Sequence, residues 1–179
     1  MENEAEEIKN KVANSGLEPL NLGDFYPEGE RVIIDLKDHL FEGLILREKD
    51  FRQYLKNEDW SKYQNKFVAI TSTADAIIPQ WAYMLLASEL QPYAKKIVSG
   101  NRDILEAIIF SESIKEHLHP EKYKDKRVMI RGCGDKELPL SAFSDAVTLL
   151  KPFAKSIMYG EACSNVPIYK SKSELTELK

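Results

Sequence analysis

Apolar residues in this chain alternate between short β-prone runs and stripes at helical spacing, and the order of the two predicts an α/β fold. Residues 1–15 read as a charged amphipathic helix with Ile8, Val12 and Ala13 on one side, stopped by Asn14-Ser15-Gly16. Pro19, Gly23, Pro27 and Gly29 then punctuate an irregular approach. Arg31–Leu36 and Leu40–Leu46 read as two strands of a hairpin, and Glu48–Lys56 as a helix carrying Phe51, Tyr54 and Leu55. Phe67–Thr71 and Arg127–Arg131 are short strands. Each leads through a loop to Pro79 or Pro139, residues suited to the first turn of a helix, where a missing N–H costs nothing. The helix after Pro79 has Trp81, Met84, Leu85, Ala87 and Leu90 on its apolar side, and the helix after Pro139 has Phe143, Val147 and Leu150. Asp103–Leu118 is a further helix with Ile104, Leu105, Ile108, Ile109 and Ile114 inward.

Laid over one another without a gap, Lys62–Gly100 and Lys122–Gly160 share fourteen identities in thirty-nine positions, among them Asp75/Asp135, Pro79/Pro139, Pro92/Pro152 and Gly100/Gly160. Both copies follow a strand-helix-strand grammar. The expected architecture is therefore three layers around a mostly parallel sheet, built from two duplicated units (62–100 and 122–160). On this reading the core is 62–170, residues 1–61 are an N-terminal β/α extension packed on it, and 171–179 are a polar tail. What both copies keep serves the fold, and what one copy alone has is a candidate for function.

Composition narrows the classes. A hydrophobic content of 43% with 30% charged residues is that of an ordinary globular domain. No apolar run reaches the roughly 18 residues of a membrane span. The acidic start lacks the apolar core of a secretory signal, and two cysteines without one point to a reducing cytoplasm. A net charge of −4 disfavours nucleic acid as a partner; homo-oligomers are compatible with it.

The chemistry concentrates in the second copy. Where the first has Ser72-Thr73-Ala74, the second has Gly132-Cys133-Gly134, followed by Asp135 and Lys136. Glycines on either side let the backbone turn N–H groups inward as an anion nest, which with Lys136 would favour a thiolate at Cys133. Cys163 follows the next strand, beside Glu161. If the two strands are neighbours their ends lie about 5 Å apart, and about 10 Å apart with one strand between them. Cys133, Cys163, Asp135 and Glu161 then form a candidate site for zinc or iron, with Gly132, Gly134 and Lys136 contacting any bound group. Asp75 and Asp135 read as turn or cap aspartates, or as facing carboxylates. Trp81, Tyr83, Phe143, Tyr93 and Phe153 read as core, with Trp60 packed alongside. No phosphate-binding loop or nucleophile elbow is present.

Phe25-Tyr26-Pro27-Glu28-Gly29, Asp75-Ala76-Ile77-Ile78-Pro79 with Trp81-Ala82, Gly132-Cys133-Gly134-Asp135-Lys136 and Tyr159-Gly160-Glu161-Ala162-Cys163-Ser164 together resemble a bacterial family known as domain of unknown function 2480. The resemblance covers nearly the whole chain and brings no catalytic residues with it. It implies an accessory role beside iron–sulphur assembly proteins, since members are encoded near their genes.

Three readings follow. The first is a cytoplasmic accessory protein that handles a metal ion or thiol-linked group at Cys133 and Cys163. The second is an enzyme with Cys133 as nucleophile in the Gly-Cys-Gly nest. The third is a non-catalytic scaffold in which both thiols are incidental.

Overall fold

The computed structural model describes residues 16–132, 134, 136–161 and 164–171. The helix expected over 1–15 and the tail beyond Ser171 lie outside them. The fold is α/β with mostly parallel strands, and its described residues form two compact units. One runs from Pro27 to Phe110. The other comprises the residues up to Tyr26 together with those from Ser111 onward.

In the Pro27–Phe110 unit, strands β2 (Arg31–Asp35), β3 (Phe67–Thr71) and β4 (Lys96–Ser99) make an all-parallel sheet in the order β2-β3-β4. The middle strand is buried on both faces, hence its unbroken apolar run. Val68 and Ile70 look toward helices α1 (Glu48–Asn57) and α2 (Gln80–Leu90), which add Phe51, Leu55, Ala82, Leu86 and Leu90 to one core cluster. Phe67 and Ala69 look the other way, onto Leu105 and Ile109 of α3 (Arg102–His117). Trp60 is buried in the first cluster, its indole N–H donating to the Leu55 carbonyl at 3.0 Å.

The other unit holds a four-stranded sheet in the order β1-β5-β6-β7, from β1 (Leu17–Asn21), β5 (Arg127–Arg131), β6 (Ser156–Glu161) and β7 (Ser164–Lys170). Its first three strands are parallel and β7 returns antiparallel to β6. Helix α4 (Leu140–Leu150) buries Ala142, Ala146 and Leu150, a four-residue repeat that keeps one face inward. Val128, Met129 and Ile130 of β5 and Ile157 of β6 are buried as well, Met129 on the opposite face of the sheet from Val128 and Ile130.

Elements of the two units correspond at a sixty-residue offset: β3 with β5, α2 with α4, and the 3-10 turn Trp60–Tyr63 with Pro120–Tyr123. Asn65 and Asp125 both stand at φ 59°, a conformation their side chains tolerate. Their N–H groups donate to Tyr93 and Phe153 carbonyls at 2.9 and 3.0 Å.

Several expectations change. The strands form two sheets instead of one. The hairpin of Arg31–Leu36 with Leu40–Leu46 is absent: β2 pairs in parallel with β3, and Leu36–His39 is a 3-10 turn. The Asp35 carboxylate causes the departure by accepting the Lys37 N–H at 3.0 Å, which folds the chain out of the sheet. Residues 40–46 retain one bridge, Phe41 to Ile45. The segment 16–61 is divided, β1 belonging to one unit and β2 with α1 to the other. Strand β1 was hidden by Pro19 and β7 by Pro167, residues that sheets admit on edge strands such as these. Met84, assigned to the apolar side of its helix, is 71% exposed, because Ala82 and Leu86 take the inward positions.

Candidate functional site

Strands β1 and β5 are parallel neighbours, ending at the register pair Asn21 and Arg131. From there the chain diverges. After β1 it enters the 3-10 turn Leu22–Phe25, and after β5 it runs toward Pro139 and α4. Diverging connections at adjacent carboxyl ends open a crevice, the usual ligand position in a parallel sheet. A cavity of about 210 Å³ occupies it. Asn21, Gly23 and Asp24 line one side; Gly132, Gly134, Lys136 and Leu138 line the other.

The lining is held by short-range polar bonds. Asn21 Oδ1 accepts from the Gly23 N–H at 3.2 Å, while its Nδ2 donates to Asp24 Oδ1 at 2.9 Å. The Lys136 ammonium stands 4.2 Å from the centre of the Tyr26 ring, within cation–π range. Gly132 is explained by packing: a β-carbon there would lie 2.5 Å from Cζ of Phe143.

Of the residues singled out in the sequence, Gly132, Gly134 and Lys136 are brought together around this cavity. Cys133, Asp135 and Cys163 lie outside the described residues. β5 and β6 are immediate neighbours, so Gly132 and Glu161 leave the sheet side by side. Glu161 is engaged: its Oε2 accepts from Arg131 Nη2 at 2.9 Å. Among the described residues no three His, Cys, Asp or Glu side chains converge as a metal site. Gly160, at φ 122°, pairs with Asn165 within the β6-β7 ladder, where a β-carbon would sit 2.5 Å from the Ser164 carbonyl oxygen.

The corresponding corner of the other unit is closed by polar contacts. There Asp35 stands at the end of β2, and both its oxygens are taken by Thr73, whose N–H donates at 3.1 Å and whose hydroxyl donates at 2.6 Å. Burial by itself would raise the Asp35 carboxyl, but these bonds, the Lys37 N–H and the nearby Lys37 ammonium hold it below its ordinary value. Asp75 is exposed, and α2 starts at Pro79 with no side-chain cap, so the capping role expected of Asp75 is not seen. Asn21 and Asp24 do not stand out in the sequence, because Pro19, Gly23, Pro27 and Gly29 give the segment around β1 an irregular pattern. The available signal was the echo of Asn21-Leu22-Gly23-Asp24 in Asp35-Leu36-Lys37-Asp38.

A second polar concavity, about 280 Å³, lies in the Pro27–Phe110 unit beside Asp38, His39, Arg47 and Tyr54. His39 stacks on Tyr54 with ring centres 3.9 Å apart and meets Phe51 edge-on at 5.8 Å. Burial depresses the His39 imidazole below its ordinary value, against the opposing pull of Asp38 and Glu58. Burial likewise raises the Tyr54 phenol, assisted by Tyr63 and Glu58.

Fold and crevice together define an α/β protein with a cavity at the carboxyl rim of a mostly parallel sheet. The chain belongs to the family described as Protein of unknown function (DUF2480), whose model matches residues 6–171. No curated protein and no solved structure matches the chain. No helix among the described residues is long and apolar enough to cross a membrane.

Proposed function

We propose that this chain is a cytoplasmic accessory protein that handles a metal ion or a thiol-linked group at the rim of its four-stranded sheet, with Cys133 as the reacting thiol. The supporting observation is that the rim cavity is lined by both neighbours of Cys133 in the sequence, Gly132 and Gly134, together with Lys136. A lysine ammonium beside a thiol favours its thiolate, the form that binds metals and attacks electrophiles. Neighbouring β5 and β6 support Cys163 as the second thiol of the site. Asp135 remains the carboxylate ligand of this reading; Glu161 is weakened as a ligand by its bond to Arg131. The partner reading, iron–sulphur assembly proteins, rests on the family resemblance. Descent of the two units from a doubled strand-helix-strand module is supported by their matching elements.

The test is elemental analysis of protein prepared without oxygen and with zinc and iron supplied. Bound metal that disappears in Cys133→Ser is expected, and protein free of both metals would sink the metal reading. The thiol reading is tested by the pH dependence of Cys133 alkylation in a Cys163→Ser background. A midpoint below the usual value of about 8.5 is expected, and ordinary reactivity counts against it.

A second reading, Cys133 as an enzymatic nucleophile, shares the same thiolate. Among the described residues no histidine lines the rim cavity to serve as its base: His117 ends α3, and His119 leads into the turn before β5, at the amino end of the strand. Turnover of a thioester or other activated acyl probe by wild type and not by Cys133→Ser would favour it over simple binding.

A further inference from the structure

The concavity beside His39 is built from side chains that the other unit does without. In the echo of Asp35–His39 by Asn21–Phe25, Phe25 stands for His39. Sixty residues on from Arg47, Asp50, Phe51 and Tyr54 stand Ala107, Phe110, Ser111 and Ile114. Only Asp38 keeps its counterpart, Asp24. Asp24 Oδ1 accepts from Asn21 Nδ2 at 2.9 Å, but the residue in the place of Asn21 is Asp35, a carboxylate with no N–H to donate. Asp38 therefore lines about 280 Å³ of open space without a hydrogen bond or ion pair among the described residues. The ring nitrogens of the half-buried His39, next to it on the same wall, have no hydrogen bond among those residues either.

These unmet groups call for a donor that carries positive charge. Asp38 is an anion, and His39, kept neutral at pH 7 by burial, offers the lone pair of one ring nitrogen. The cation of the lining, Arg47, is already committed. Its Nε and Nη2 both donate to Asp50 Oδ2 at 2.5 Å, and its guanidinium carbon lies 3.7 Å from the centre of the Phe41 ring. An anionic ligand would have to displace Asp50 to gain that partner, and it would meet Asp38. With two carboxylates against one guanidinium, the wall holds one negative charge in excess. Aromatic faces attract cations too, as Arg47 on Phe41 illustrates within the site itself. Leu40 and Tyr54 add apolar surface for a carbon body, and the volume lies at the small end of the roughly 300–1,000 Å³ usual for ligand sites.

We propose that this concavity binds a small organic amine as its ammonium ion, which donates to the Asp38 carboxylate and to His39 while its carbon body lies against Leu40 and Tyr54. The site lies in the Pro27–Phe110 unit and is independent of Cys133.

The experiment is a titration of the full chain near neutral pH with benzylamine, benzyl alcohol and benzoate, which share one ring and differ in charge. It is followed by the NMR signals of the His39 imidazole and the Asp38 amide. Benzylamine should give saturable shifts with a dissociation constant on the order of a millimolar, and the other two should bind at least about tenfold more weakly. Asp38→Asn and His39→Phe should each weaken benzylamine by about tenfold or more, the usual consequence of losing a bond to a charged group. Asp38 is exposed, and phenylalanine keeps a ring against Tyr54, so circular dichroism of both variants should match wild type. No saturable response to benzylamine up to about 10 mM, ten times that constant, overturns the proposal. Benzoate or benzyl alcohol binding as tightly as the amine overturns it, since positive charge would then not be what is recognised. Benzylamine binding that both substitutions leave unchanged overturns it as well.

Discussion

Gly132 and Phe143 stand so close that a β-carbon on the glycine would fall 2.5 Å from Cζ of the ring. The ring is fixed in turn by Tyr159, which it meets edge-on at 5.7 Å. Gly132→Ala is therefore expected to destabilise the chain by about 1–2 kcal/mol through overpacking. Combining it with Phe143→Leu should cost less than the sum of the single changes. A double-mutant cycle from urea unfolding checks this, and strict additivity would count against the contact.

Asp35 ties the end of β2 to the loop after β3 through Thr73. Thr73→Val removes the hydroxyl donor and should cost about 1 kcal/mol. Since the Asp35 carboxyl is held below its ordinary value of 3.8 in the folded chain, its contribution is complete above that pH. It is lost as pH falls through the lower, folded value. Acid unfolding curves for wild type and Asp35→Asn should thus differ at neutral pH and converge at the acid end.

His39 acts in a higher range. Burial against Tyr54 and Phe51 keeps its folded value below 6.5, so the unfolded chain binds the proton more readily. Stability from this group is complete above pH 6.5 and declines as pH falls through the folded value. Melting temperature measured between neutrality and about pH 5 should fall less steeply in His39→Phe than in wild type. Parallel profiles would show that the ring is not the titrating group.

Arg31 and Glu106 form a two-bond ion pair, Nε to Oε1 at 3.0 Å and Nη2 to Oε2 at 3.2 Å, with side chains only 6% and 18% exposed. Removing one partner strands a buried charge. Glu106→Ala is expected to cost about 3 kcal/mol, and Arg31→Met with Glu106→Leu together much less. Chemical denaturation of the three variants decides it.

Ser72 and Ser141 carry buried hydroxyls without a hydrogen-bond partner among the described residues. Ser72→Ala should be neutral or stabilising by up to about 1 kcal/mol, because the desolvation cost disappears with the hydroxyl. A clear loss of thermal stability would reveal an overlooked bond.

Local order was legible where a single element sets it. Phe67–Thr71 and Arg127–Arg131 could be read to the residue, because strands buried on both faces need uninterrupted apolar runs. Helix α3 was readable within one residue at each end from its apolar stripe. At the candidate site, Gly132, Gly134 and Lys136 could be picked out by comparing the two copies. Asn21 and Asp24 could not, because β1 is recognisable as a strand only through its pairing with β5, more than a hundred residues away.

The residues alone determined an α/β chain with two similar strand-helix-strand stretches and one loop of unusual chemistry, because periodicity and turn residues act over neighbouring positions. Tertiary structure decided which strands share a sheet, that β7 turns back along β6, and that the crevice opens between β1 and β5. Those outcomes depend on hydrogen bonds and packing between distant segments, and no local pattern encodes which distant partner a strand will take.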